Sequence, residues 1–479
     1  MARGACGLQQ PDGAIVRPGL SAVLEISSNR LAVMPKQMHL ALDVSWTQVE
    51  SAWRIPGSWV GRHYPDVGLF EDIARIAERG LFDMIFFGDG SGIPNTWEGG
   101  IDAAVRRGVA WPRLDMSPWI TAMSRVTNHV GFGLTYASTF MHPFYVARLL
   151  NSLDHITNGR IAFNVISSQR RSDYENYGYD ELIDHGERYD RMEEFIAVCK
   201  ALWSSVDADA FVWDRLNGLV ADPAKIRPIN HVGRFFKVKG PLSVVPSPQR
   251  HPVLIQAGGS KRGIWAAAGF VDHVFGAGKG IRLMVQQRHD MDAALRERGR
   301  DPEQVGIVWA TKVLVGETEG EAKTMRERLI ADVPMEAVGV WLSHNTGFDM
   351  STLPPRFSVR ELNERIIAAN ASPVGFVGLL IEQYGQDGEI TRDEFMRYGL
   401  HAATGYATTQ AGTAEQIADY LEEMFEATGS RGGFMLGHSQ CGPRDQLQSI
   451  VDLLVPELQR RGRFRTAYTG RTLRENLAG

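Results

Sequence analysis

From Met38 onward the chain alternates short apolar runs with stretches whose apolar residues recur every three or four positions. The runs Met38–Val44, Phe82–Phe87, Val130–Tyr136, Ile161–Ile166, Val253–Ile255, His273–Phe275, Val308–Val315 and Gly433–Leu436 predict strands. Helical patterns separate them. Asp66 predicts an N-cap for a helix through Arg79, with Leu69, Phe70, Ile73, Ile76 and Ala77 on its apolar face and Gly80 at its end. Asp115 opens a helix toward His129, and Pro143 starts one that reaches Ile156. His185–Trp203, Ile264–Phe270, Met284–Arg298, Glu319–Ile330, a Thr413-capped stretch through Phe425, and Gln446–Arg460 complete the helical set.

Strand and helix repeated about eight times imply a parallel sheet with crossover helices. The expected fold is therefore α/β, a TIM (β/α)8 barrel with insertions, whose site sits at the C-terminal strand ends. A doubly wound open sheet is the alternative. Residues 38–479 read as one barrel domain interrupted at 204–248, rich in Pro, Gly and Asp, and at 333–412, which carries Pro354–Pro355 and helical pieces of its own. Long interruptions of this kind serve as lids or interface elements. Residues 1–37 are rich in Gly, Ala and Ser without a period and read as a poorly ordered extension, with Met34 and Met38 as alternative starts.

Composition narrows the function classes. A net charge of −5 over 479 residues argues against a nucleic-acid footprint. The pairs Arg106–Arg107 and Arg170–Arg171 read as solvated faces. Cys6, Cys199 and Cys441 lie far apart with no CxxC, which fits a reducing, cytoplasmic setting and no structural metal site. Cys199 falls on an apolar helical pattern and reads as core. No apolar run is long enough to span a bilayer.

One motif carries chemistry by itself. QAGGSKRG, Gln256–Gly263, follows an apolar strand run and precedes a helical pattern. Such a turn places free amides and a positive dipole end at one spot, where a phosphate fits. Lys261 and Arg262 add charge and Ser260 a hydroxyl; an ordinary strand–helix junction has the same outline. There is no GxSxG elbow, no HExxH and no carboxylate–histidine cluster.

Further motifs extend the pattern: Ala52–Arg54 (AWR), Ala77–Asp89 (AERGLFDMIFFGD), Thr135–Arg148 (TYASTFMHPFYVAR), Leu153–Ser168 (LDHITNGRIAFNVISS), His185–Arg191 (HGERYDR), Pro246–Gly263 and Gly412–Asp419 (GTAEQIAD). In order and spacing the chain resembles the bacterial-luciferase-like flavin monooxygenases. The similar branch holds nitrilotriacetate monooxygenase, pristinamycin synthase, dibenzothiophene-sulfone monooxygenase and long-chain alkane monooxygenase. The resemblance runs from Met38 to the C-terminus.

It implies a TIM barrel that binds FMN as FMNH2, supplied by a separate NAD(P)H:flavin reductase. Dioxygen is the co-substrate, and one oxygen atom reaches a hydrophobic organic substrate through a flavin (hydro)peroxide. An aromatic sulfone, a heterocycle or a natural-product ring is the expected substrate, and a homodimer or homotetramer the expected assembly. By resemblance Asp89, Thr135, His185 and Tyr189 contact the flavin, while Ser168, Ser260 and the Gly259 amide serve its phosphate side. His142 falls near the reacting edge. Asn164, polar in a buried run, needs partners that a ring edge or a neighbouring backbone group would supply. Where sulfone-oxidising relatives carry a histidine beside a Thr-Gly pair, Asn345 falls in register with His344 one place away. Gln48, Val49 and Glu50 stand where several relatives have a histidine. Trp46, Trp53, Trp97, Trp341 and Phe348 are candidate pocket walls. Two other readings remain: a deazaflavin-dependent oxidoreductase on the same barrel, and a flavin-binding protein without catalysis.

Overall fold

A computed structural model describes residues 36–45, 64–277, 280–331, 333–369, 376–404, 410–437 and 444–478. Among these residues, parallel strands close into a barrel: β1 (His39–Asp43), β2 (Met84–Phe87), β3 (Gly131–Ala137), β4 (Ile161–Ile166), β5 (Val253–Ala257), β6 (His273–Ala277), β7 (Gly306–Thr311) and β8 (Gly432–Gly437). Each pairs with its neighbours in sequence, and β8 returns to β1 with His39 opposite Gly433 and Asp43 opposite Gly437. The TIM-barrel expectation holds, and the open sheet does not.

Period-two alternation divides each strand between two cores. Met84 and Phe86 point into the barrel with Ala41, Val253 and Ile255, and Phe86 stacks on Phe275 at 5.6 Å. Ile85, Phe87, Leu40, Leu42 and Leu254 point out against the helices. The C-terminal segment returns to close the opposite end of the barrel, where Leu473 joins the inner cluster. There the buried Asp83 accepts from the Leu40 amide at 2.8 Å and pairs with Arg465.

Local signals set the helix starts. Asp66 caps α1 (Val67–Arg79) through the Gly68 amide, and Gly80 follows its last turn. In α2 (Ser117–Arg125) the Asp115 carboxylate holds the Ser117 amide at 2.9 Å, and the helix ends sooner than the sequence pattern suggests. His142 and Pro143 start α3 (Pro143–Ile156), and Asp184 caps α4 (His185–Trp203). Ser260 caps α5 (Lys261–Ala268), which begins before the apolar stretch that marks it in sequence. The helix α6 (Ile281–Glu297) follows β6.

Two predicted elements are built differently. The run Val308–Val315 breaks at Lys312: β7 ends at Thr311, and Val313–Val315 leaves the barrel to pair with Gln410–Gly412. The stretch Gln446–Arg460 is helical but widens to a π turn over Ile450–Leu454, just before Pro456, which has no amide to give to the ladder.

The segment 204–248 forms two small hairpins, Phe211–Asp214 with Leu219–Ala221 and His231–Val232 with Lys237–Val238. The segment 333–412 carries α7 (Met335–Thr346), α8 (Val359–Ala368), α9 (Phe376–Tyr384) and α10 (Arg392–Thr404). These helices and the hairpin Arg356–Ser358 with Glu389–Thr391 gather a separate apolar cluster that includes Val338, Leu342, Leu362 and Phe395. The chain then resumes the barrel with α11 (Ala414–Ala427), started by a Thr413–Gln416 capping box. The expected extension 1–37 lies outside the described residues except for Lys36 and Gln37. No helix among the described residues is long and apolar enough to cross a membrane.

Arg160 is a tie that the sequence does not announce. It is buried, and its guanidinium donates to the carbonyls of Thr157, Val130, Ser124 and Thr127 without a carboxylate partner. Replacing it leaves several buried acceptors unpaired, each costing about 1–3 kcal/mol. Arg160→Met is expected to lower stability by roughly 3 kcal/mol or more in urea unfolding followed by circular dichroism.

Candidate active site

The site is built on the tips of four consecutive barrel strands. Asp89 follows β2, Thr135 lies in β3, Asn164 in β4, and Gly259 and Ser260 follow β5. Thr135 and Asn164 are register partners. Asn164 Nδ2 donates to Thr135 Oγ1 at 3.0 Å, and that hydroxyl donates to the Phe87 carbonyl at 2.8 Å. Asn164 Oδ1 is buried with no partner among the described residues, an acceptor left to seek a donor. Asp89 accepts from the Gly90 amide at 2.7 Å. Burial pushes its carboxyl above the ordinary range, and the Gly90 amide and Arg113 oppose that.

Three strand spacings away, on the order of 14 Å, lies the start of α5. Ser260 Oγ accepts from the Gly263 amide at 3.0 Å and its carbonyl from Ile264. The amides of Gly259, Ser260, Lys261 and Arg262 have no acceptor among the described residues. A side chain at Gly259 would meet open space. Tyr189 on α4 is almost buried, and its hydroxyl has no hydrogen-bond partner among the described residues. That hydroxyl abuts the same turn, 2.8 Å from where a methyl group on Gly263 would sit. His185, one turn earlier and exposed, meets the Tyr189 ring edge-on at 5.2 Å. Free amides, a free phenol and a helix N-terminus suit a phosphate monoester, and the donor-seeking Asn164 suits a polar ring edge at the other end. These residues fit FMN.

A family model described as luciferase-like monooxygenase matches residues 51–432. The chain belongs to this family. Dibenzothiophene-sulfone monooxygenase of Rhodococcus erythropolis (strain XP) is 34% identical over 92% of this chain and 96% of its own length. The solved long-chain alkane monooxygenase superposes with a TM-score of 0.81 at 31% identity, covering 93% of this chain and 96% of the other. A riboflavin lyase solved with a modified FMN superposes with a TM-score of 0.79 at 26% identity, over 92% and 96% of the two chains. The family, the barrel and the flavin-dependent monooxygenase read from the sequence motifs all stand.

Other expected residues are placed elsewhere within this luciferase-like barrel. Ser168 is buried and donates to Asp173 at 2.7 Å, and its carbonyl accepts from Arg188, the neighbour of Tyr189, at 2.9 Å. His142 is exposed and caps α3, its Nδ1 accepting from the Phe144 amide at 3.3 Å. Asn345 bonds back to the Trp341 carbonyl of its own helix at 2.9 Å. The first-turn amides Gly186 and Glu187 of α4 are taken by Asp184, and the Tyr189 hydroxyl abuts the turn at Gly263. Arg262 pairs with Asp190 at 2.8 Å and Glu193 at 2.5 Å, so its charge is already engaged. Trp97, Trp341 and Phe348 pack in or against the insertion's apolar cluster, whereas Trp46, Trp53 and residues 48–50 lie outside the described residues.

Of the basic pairs, only Arg170 is a correction. Arg106 is exposed and Arg107 half-buried, as a solvated face requires, but both also pair with Glu336 of α7, at 2.6 and 2.5 Å. Arg170 is half-buried at the mouth, and only Arg171 is surface-paired, with Glu175 at 2.8 Å. Next to Arg170 stands Arg113, which no sequence motif marks. Burial, and then Arg170, lowers the Arg113 guanidinium to about 10. His344 of α7 reaches the same place. It is 8% exposed, with Nε2 unpartnered, and burial followed by Arg170 and Arg113 holds it down to about 3.

Gly263→Ala places a methyl group 2.8 Å from the Tyr189 hydroxyl and 3.1 Å from Ser260 Oγ. It is expected to weaken FMN binding about tenfold, about 1.4 kcal/mol, by flavin fluorescence titration, with little change in thermal midpoint. His344 yields a second expectation. An unfolded chain protonates this histidine near 6.5, whereas the folded chain keeps it neutral to about 3. Between those values the unfolded state binds the extra proton, so acid removes stability. His344→Gln is expected to flatten the fall in melting temperature between about pH 6.5 and 4 relative to the parent, measured by scanning fluorimetry.

Proposed function

We propose that the four strand tips hold FMN with its phosphate at the Gly259–Arg262 amides and its ring edge toward Thr135 and Asn164. The observation that carries this reading is the pair of unmet hydrogen-bonding needs: free amides with a free Tyr189 hydroxyl at one end, a buried donor-seeking Asn164 Oδ1 at the other. Reduced FMN, when bound, supplies the electrons by which dioxygen gives one oxygen atom to the substrate and the other to water. The chain's own residues position and shelter. Tyr189, Ser260 and Gly259 anchor the phosphate, with His185 beside them. Thr135 and Asn164 fix the ring edge, and Asp89 borders it at the end of β2. His344, neutral across the working range, is available to hold a proton at Nε2 beside the substrate. The segment 333–412 covers the mouth and excludes water, which such chemistry requires.

An aromatic wall supports an apolar organic substrate. Phe140 and Tyr177 stack at 4.3 Å and line a shallow concavity with Asp89, Gly90, Met141, Ile166 and Asp173. An aromatic sulfone or heterocycle suits that wall. A separate NAD(P)H:flavin reductase supplies FMNH2 by diffusion, the chain self-associates as a homodimer or homotetramer, and a reducing cytoplasm suits the free, buried Cys199. The deazaflavin and non-catalytic readings are disfavoured by the similarity to oxygenases along nearly the whole chain.

The test is anaerobic FMNH2 mixed with oxygen, with and without the protein, followed by flavin absorbance. Protein-bound flavin is expected to reoxidise at least tenfold more slowly than free flavin, and Asn164→Ala to restore much of the free rate. Identical reoxidation with and without protein would overturn the proposal.

A further inference from the structure

We propose that the mouth contains a built site for an organic oxyanion, in which the guanidinium forks of Arg113 and Arg170 and Nε2 of His344 receive a carboxylate or sulfonate carried by the substrate. The inference rests on reading these strand tips as the oxygenation site, and it narrows the substrate from an apolar ring to an apolar ring with an acidic group.

Geometry brings the groups together. A methyl group built on Gly90 would overlap Arg170 Nη1 and lie 3.0 Å from Arg113 Nη1. Both forks therefore rest on one glycine, and Gly90 lines the concavity beside Asp89 and the Phe140–Tyr177 wall. The two forks bring planar sets of N–H donors to one point, a geometry that matches a bidentate oxyanion. Neither guanidinium has a hydrogen bond or ion pair through its side chain among the described residues, and Arg113 Nε is fully enclosed without a partner.

The nearby carboxylates Asp89, Asp173 and Asp43 keep their charge and offset the repulsion of the pair, but none bonds directly to either fork among the described residues. Asp173 holds the Ser91 amide at 2.9 Å, the Gly92 amide at 2.7 Å and the Ser168 hydroxyl. Asp89 holds the Gly90 amide, Asp115 holds Ser117, and Asp43 holds the Ser45 amide at 2.9 Å. Their field steadies the arginine pair from a distance but leaves the forks open. The buried His344 of α7 stands within electrostatic range of both arginines. It is more than nine-tenths buried, its Nε2 is unpartnered, and with a neutral ring it donates one N–H without adding to the local charge. Two planar forks and one neutral donor match a carboxylate or sulfonate far better than a neutral ring, and the aromatic wall takes the apolar body.

The probes are 2-naphthoate, 2-naphthalenesulfonate and the neutral methyl ester of 2-naphthoate, titrated calorimetrically into the full chain loaded with FMN. Either anion is expected to bind at least tenfold more tightly than the ester, and the preference to shrink as ionic strength rises. Arg113→Gln with Arg170→Gln is expected to abolish the preference, while Arg113→Lys with Arg170→Lys retains part of it. Circular dichroism and an FMN affinity within twofold of the parent confirm that both double variants are folded. Preference for the carboxylate over the sulfonate, or the reverse, identifies the oxyanion. Equal binding of anion and ester, binding of neither, or a preference that survives in the Gln variant overturns the proposal. Loss of the proposed oxygen chemistry with the anion preference intact would instead count against the flavin reading alone.

Discussion

Closure of the barrel depends on how closely β8 approaches its neighbours. Gly432 has φ +90°, and side chains at Gly432 and Gly433 would run into the backbones of Ile307 and His39. Glycine at these two places lets the last strand slide between β7 and β1 and complete the parallel ladder. Every strand then ends at the same rim. Asp89, Thr135, Asn164 and Ser260, far apart in sequence, become an arc only because that ring is closed.

The arc has a division of labour that follows from hydrogen-bond supply. Its β5 end offers donors: open amides and a phenol. Its middle offers an acceptor held by a threonine that is itself held by a carbonyl of the next strand. A rigid backbone fixes both, so a long planar ligand with an anionic tail meets prepared partners instead of organising them. The mouth beyond β2 is different. There the charged groups come from loops and from the inserted helix α7, and their mutual geometry is set by packing around Gly90 and by the Glu336 ion pairs.

The sequence made the scaffold readable where local chemistry decides. Asp66, Pro143, Asp184, Ser260 and Thr413 start helices because a cap or a fixed φ acts within one turn. It was unreadable where a decision is made at long range. The apolar run Val308–Val315 looks continuous, yet the chain changes sheets at Lys312 because a partner strand arrives from Gln410. Arg170 beside Arg171 looks like surface, and only the meeting of two loops makes one of them a mouth residue. His344 and Asn345 are adjacent on one helix, yet the asparagine bonds back to its own helix while the histidine's Nε2 is buried without a partner among the described residues. Motif resemblance named Tyr189 and Ser260, but it did not tell that Asp184 caps the helix end between them.

The cover segment keeps an apolar nucleus of its own, built from Val338, Leu342, Leu362 and Phe395, apart from the one that steadies the barrel. It touches the rim through α7. On that helix the ion-paired Glu336 and the buried His344 are set apart from Val338 and Leu342, so one α-helix divides its positions between holding a nucleus and meeting its surroundings.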